Sequence, residues 1–115
     1  MPADPVRAEP VPADPIRILV ADDQAIVRDG LVTLLSLVDG FAIVGEAADG
    51  LEAVRRVDEL RPDVVLMDLR MPEISGAEAT ARVLAEHPQT AVLVLTTFAD
   101  DESIVGALRA GHAAT

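Results

Sequence analysis

Four side chains in this sequence have the types and positions to do chemistry together: Asp22, Asp23, Asp68 and Thr96. Asp22, with Asp23 next to it, Asp68 and Thr96 each stand directly after a largely aliphatic run: Ile16 to Ala21, Val64 to Met67, and Ala91 to Leu95. A carboxylate inside a buried strand carries a large desolvation cost, so each aspartate belongs at a strand end, beside water, a metal or a basic group. Three carboxylates at one mouth repel unless a cation joins them. An all-oxygen cluster with few protein ligands suits Mg2+, which keeps several waters and shares phosphate oxygens. A hydroxyl on a neighbouring strand then adds a donor to an equatorial oxygen of an incoming phosphoryl group, the positioning and charge stabilisation that phosphoryl transfer needs. Each residue also has an ordinary explanation. An acidic pair before a helix serves as an N-cap, a threonine hydroxyl is satisfied by backbone, and a lone aspartate at a strand end needs no function. The combination on three strands carries the functional reading.

For these residues to meet, the chain must build a parallel sheet, because ligands of open α/β sheets bind outside the carboxyl ends of the strands. Its pattern fits. Ile16 to Ala21 is a β-branched first strand, after which Val27, Leu31, Leu34, Leu35 and Val38 repeat at helical spacing up to Asp39-Gly40. Phe41 to Glu46 is a second strand. Asp49-Gly50 opens a helix with Ala53, Val57 and Leu60 on one face and Glu52 and Arg56 paired at i, i+4 on another. Pro62 closes that helix, and Val64 to Met67 leads to Asp68. Pro72 and Gly76 lie in the next loop, before an alanine-rich helix from Ala77 to Glu86 in which Glu78 and Arg82 pair. His87-Pro88 breaks it, and Ala91 to Leu95 is a fourth buried strand. Asp100 or Asp101 caps a last helix through Ile104, Val105 and Leu108 to Gly111. Regular β-α alternation predicts an α/β doubly wound parallel sheet with helices on both faces.

Composition narrows the function classes. With 115 residues there is one domain and one core, which must be aliphatic because Phe41 and Phe98 are the only aromatics. A net charge of −11 argues against direct nucleic-acid binding and suits a cation site or a basic partner. There is no cysteine, and all nine basic side chains are arginines. No apolar run reaches the roughly 18 residues of a membrane span, and no signal-peptide core is present, so a cytoplasmic protein with no membrane contact is expected. Residues 1–15 hold five of the eight prolines and read as a disordered tail, with residues 16–115 as the domain. His87 and His112 read as solvated bystanders.

At this point the sequence resembles the receiver domain of bacterial two-component response regulators. The resemblance is carried by Ile18 to Asp23, by Val64-Val65-Leu66-Met67-Asp68-Leu69-Arg70-Met71-Pro72 with Gly76, by Val92 to Thr97, and by Ala107-Leu108-Arg109-Ala110-Gly111. Asp-Leu-Arg-Met-Pro and Leu-Thr-Thr-Phe are most similar to the NarL/FixJ (LuxR-type) subfamily. The resemblance implies a flavodoxin-like fold with strand order 2-1-3-4. It implies that Asp68 is a phosphoacceptor served by a histidine kinase. Asp23 is then a direct Mg2+ ligand, Asp22 acts mainly through water, the Arg70 backbone carbonyl is a further ligand, and Thr96 is the phosphoryl contact and switch.

In that family a fifth strand follows and begins near a lysine that pairs with the phosphoryl group. This sequence ends at Thr115 and has no lysine; Arg109 is a poor substitute, being planar and within the last helical turn. The domain is therefore expected to be incomplete at its carboxyl end, with Ala91 to Leu95 as an apolar edge open to a second copy or a partner strand. Two other functions compete. One is a receiver-like interaction module that is not phosphorylated. The other is a Mg2+-dependent phosphatase of the haloacid-dehalogenase kind, which resembles this chain in its aspartate nucleophile but places a second aspartate where Arg70 stands.

Overall fold

The structure, a computed structural model, describes residues 14–95. The proline-rich tail before Asp14, Thr96, the last helix, Arg109 and His112 lie outside the described residues. Strands β1 (Ile16–Ala21), β2 (Phe41–Ala47), β3 (Val64–Asp68) and β4 (Ala91–Leu95) alternate with helices α1 (Ala25–Ser36), α2 (Gly50–Leu60) and α3 (Gly76–Glu86). All pairings are parallel and the sheet order is β2-β1-β3-β4. This is the doubly wound fold expected from the alternation, and among the described residues β4 forms one edge of the sheet.

Strand alternation sorts the core into two layers. Ile18, Val20, Val64, Leu66 and Leu95 pack with Leu31 and Leu35 of α1 on one face. Leu19, Ala21, Val65 and Met67 pack with Ala53 and Val57 of α2 and Ala79 and Val83 of α3 on the other. Full burial of each such Leu or Val is worth about 1.5–3 kcal/mol, so β1 and β3, covered on both sides, anchor the domain.

Helix α2 shows how local chemistry sets the boundaries. The Asp49 side chain accepts from the Glu52 N–H at 2.7 Å, and Glu52 Oε1 accepts from the Ala48 N–H at 2.8 Å, a reciprocal start to the helix. The predicted Glu52–Arg56 and Glu78–Arg82 pairs form, at 3.8 and 2.9 Å. At the other end Arg61 turns left-handed (φ 50°) before Pro62. Arg17 Nη1 and Nη2 donate to the carbonyls of Arg61 and Leu60 at 2.7 and 2.8 Å, while its backbone N–H donates to Asp63 at 2.9 Å. A fixed guanidinium at a helix C-terminus offsets the negative end of the dipole. Arg17→Ala is expected to cost about 1–2 kcal/mol, allowing for its partial exposure, read as a lower urea midpoint with an unchanged m-value.

The helical face of α1 is only partly covered, and one expectation, that for His87, needs correction. In α1 only Leu31 and Leu35 are buried; Val27 and Leu34 remain 42% and 40% exposed. The helical repeat places them on the same side of the helix as Leu31 and Leu35, and among the described residues nothing covers them fully. His87 is not a solvated bystander. It is buried, because the α3–β4 turn folds back on α2 and sets Nε2 2.7 Å from Asp58 Oδ1.

Candidate acidic pocket

The acidic pocket follows from register. Ala21 pairs with Met67 of β3 and with Ala47 of β2, so Asp22 and Asp68 emerge at the same level one residue later. Carboxylate oxygens of Asp22, Asp23 and Asp68 all lie within 4.8 Å of one another. Three of the residues singled out in the sequence are thus brought together. The fourth, Thr96, lies outside the described residues.

Each aspartate is held differently. Asp22 is buried; its N–H donates to the Ala47 carbonyl at 3.0 Å and its Oδ1 accepts from the Gln24 N–H at 2.9 Å. Neither Asp22 nor Asp23 caps α1, whose N-cap is Gln24. Asp23 is exposed to solvent. Arg28 was not singled out by the sequence, yet it pins this loop. Its Nη1 donates to the Asp22 carbonyl at 2.7 Å and its Nε meets Glu46 Oε1 at 3.0 Å.

Asp68 is partly exposed at the end of β3. Burial pushes its carboxyl above the ordinary value of 3.8, and the charge of Asp22 pushes it further; the Arg70 backbone N–H opposes this, Asp23 adds to the rise, and the Leu69 N–H also opposes it. The backbone at Arg70, where a carbonyl ligand was expected, therefore lies against this carboxylate through its N–H. Behind Asp68, the Gly76 N–H donates to the Leu69 carbonyl at 2.9 Å, and a Cβ on Gly76 would collide with the Asp68 carbonyl and approach the Leu69 Cα to 2.8 Å. Ser75 caps α3 by accepting from the Glu78 N–H at 3.1 Å. The loop is drawn tightly under the carboxylate it carries.

Among the described residues no arginine forms an ion pair with any of the three aspartates. The donor set is all oxygen and crowded, and the Asp68 carboxyl is raised in proton affinity by burial and the charge of Asp22, which fits a hard divalent cation with retained waters.

A four-stranded parallel sheet in the order 2-1-3-4 with an acidic pocket at the ends of β1 and β3 defines a receiver-type domain. The comparison with known proteins agrees: the chain belongs to the response regulator receiver domain family, which it matches over residues 18–114. It is 45% identical over 96 residues to the uncharacterized transcriptional regulatory protein YhcZ of Bacillus subtilis, covering 84% of this chain and 45% of that protein. Among solved structures it resembles a LuxR-family two-component response regulator from Aurantimonas (37% identity, TM-score 0.70, 85% of this chain and 70% of the other). It also resembles the receiver domain of the response regulator NarL from Mycobacterium tuberculosis (35% identity, TM-score 0.70, 84% and 77%). The chain spans a little under half the length of the curated relative. No helix among the described residues is long and apolar enough to cross a membrane.

Proposed function

We propose that this domain is a phosphorylation switch in which Asp68 accepts a phosphoryl group from a histidine kinase. The carrying observation is the placement of Asp68 within 4.8 Å of Asp22 and Asp23 at the carboxyl end of the sheet. The Asp68 carboxylate attacks phosphorus, the bond from phosphorus to the donor breaks, and an acyl phosphate forms. Asp23, Asp68 and the Arg70 carbonyl would hold Mg2+, with Asp22 acting through water; the ion supplies charge neutralisation for the incoming phosphoryl oxygens. Thr96 is the contact that reads the phosphoryl group. The domain acts in the cytoplasm as a switch rather than a turnover enzyme, and its output is transcriptional, as the names of its relatives suggest. Among the described residues β4 is a partly exposed edge strand, and a second copy or a partner strand would pair there.

Mass spectrometry of the chain after incubation with acetyl phosphate and Mg2+ tests the reading. One added phosphoryl group is expected, labile to hydroxylamine and absent in Asp68→Asn. No adduct on folded, Mg2+-saturated protein would instead favour a phosphorylation-independent binding module.

A further inference from the structure

The described residues bring together a second group of metal donors far from the acidic pocket. Ligand atoms of Asp58, Glu86 and His87 all lie within 4.8 Å of one another. Asp58 is in the last turn of α2, Glu86 is the last residue of α3, and His87 is the C-cap of α3. Because these helices lead into the starts of β3 and β4, the group sits at the amino-terminal end of the sheet, opposite Asp68.

The imidazole is held rather than loosely placed. The His87 N–H donates to the Val83 carbonyl at 2.7 Å, and the His87 carbonyl accepts from the Thr90 N–H at 3.0 Å. Its side chain keeps only 9% of its surface, while Asp58 is half-exposed and Glu86 is exposed. Neither α2 nor α3 has a basic residue in its last turn, and among the described residues neither carboxylate has an arginine partner. Two carboxylates and the negative end of α3 therefore face one oriented nitrogen donor.

We infer that Asp58, Glu86 and His87 form a binding site for a divalent transition ion of the zinc class, which ties the end of α2 to the α3–β4 turn. The nitrogen donor distinguishes it from the all-oxygen pocket: imidazole favours zinc-class ions, whereas carboxylate and water favour Mg2+. Three protein ligands leave a fourth position to water. Donors around tetrahedral zinc stand about 3.3 Å apart, between the 2.7 Å of the His87–Asp58 contact and the 4.8 Å outer limit of the group. The exposed carboxylates can make that adjustment while the imidazole stays fixed.

Calorimetric titration of Zn2+ into the 115-residue chain, with excess Mg2+ filling the acidic pocket, tests the site. One Zn2+ is expected to bind here and to raise Tm. Glu86→Gln, at an exposed position, should not lower the metal-free Tm and should weaken Zn2+ binding about tenfold or more. His87→Gln should abolish it, whereas His112→Gln and Asp68→Asn should retain it. Absence of Zn2+ binding, undiminished binding in Glu86→Gln, or loss of binding in His112→Gln would each overturn the assignment. If His87→Gln does not fold, Glu86→Gln decides alone.

Discussion

Gly76→Ala is expected to destabilise the domain by about 2–4 kcal/mol, lowering Tm by at least about 10 °C, although alanine is the better helix former. The added methyl group would meet backbone: the Asp68 carbonyl, the Leu69 Cα at 2.8 Å and the Asp68 carbonyl carbon at 2.9 Å. None of these atoms belongs to a side chain that can rotate away. Either α3 lifts from the sheet, loosening Ala79 and Val83 in the core, or the end of β3 moves and takes the Asp68 carboxylate with it. The control is Gly30→Ala within α1, where nothing lies within 4 Å of the new methyl group. There the helix preference acts unopposed and a gain of about 0.5–1 kcal/mol is expected. Thermal melts of both variants in chelator read the contrast. Equal effects would show that the backbone neighbours of Gly76 yield to the added methyl group and that the loop beneath Asp68 is slack.

The same glycine marks where sequence reading stops. The β-strands were legible almost to the residue, because short aliphatic runs bounded by Asp, Gly and Pro have few other uses, and β1 and β4 begin and end where their runs do. The meeting of Asp22, Asp23 and Asp68 was legible too, since a parallel sheet sends the carboxyl ends of all its strands to one rim. What one residue does to a neighbour distant in sequence was not. Gly76 looked like a loop glycine, while its role is to let α3 approach the Asp68 backbone. Asp22 and Asp23 are adjacent and chemically identical; only the fold makes one buried and bonded to the Gln24 N–H and the other solvent-facing. His87 read as a helix breaker, correctly, but its burial depends on the turn lying against α2, a contact with no local signature. Likewise, spacing put Val27 on the same side of α1 as Leu31, but only tertiary packing made Leu31 buried and left Val27 42% exposed.

Asp68→Asn is expected to stabilise the domain in chelator at neutral pH by roughly 1–3 kcal/mol, the repulsion of one unit charge pair at about 5 Å for effective dielectrics between that of water and 20. Asp68 is partly exposed, so solvent screening favours the lower end. The sign follows from linkage. The folded state raises the Asp68 carboxyl above 3.8 through burial and the charge of Asp22, so it binds the proton more tightly than the unfolded chain. The stability that the protonated group allows is fully present below the ordinary value and is lost as pH rises through the raised one. At neutral pH the wild type therefore carries a folding cost that asparagine, similar in shape and uncharged, does not. Titrating stability from acid to neutral pH should make wild type lose ground to Asp68→Asn across that window and keep the gap above it. Mg2+ should then reverse the order. A cation bound only by the folded state stabilises by about 2.7 kcal/mol at one hundred times its dissociation constant, and wild type, with three carboxylates at the pocket, gains more than the variant with two. A variant no more stable than wild type in chelator would mean that the pocket is well solvated. Equal Mg2+ stabilisation of both proteins would remove Asp68 from the cation site while leaving its role as phosphoacceptor to be judged by the acyl phosphate. Both outcomes as expected would identify the destabilising carboxylate as the one the cation needs, so that the folding cost of apo Asp68 is the counterpart of its readiness to hold Mg2+.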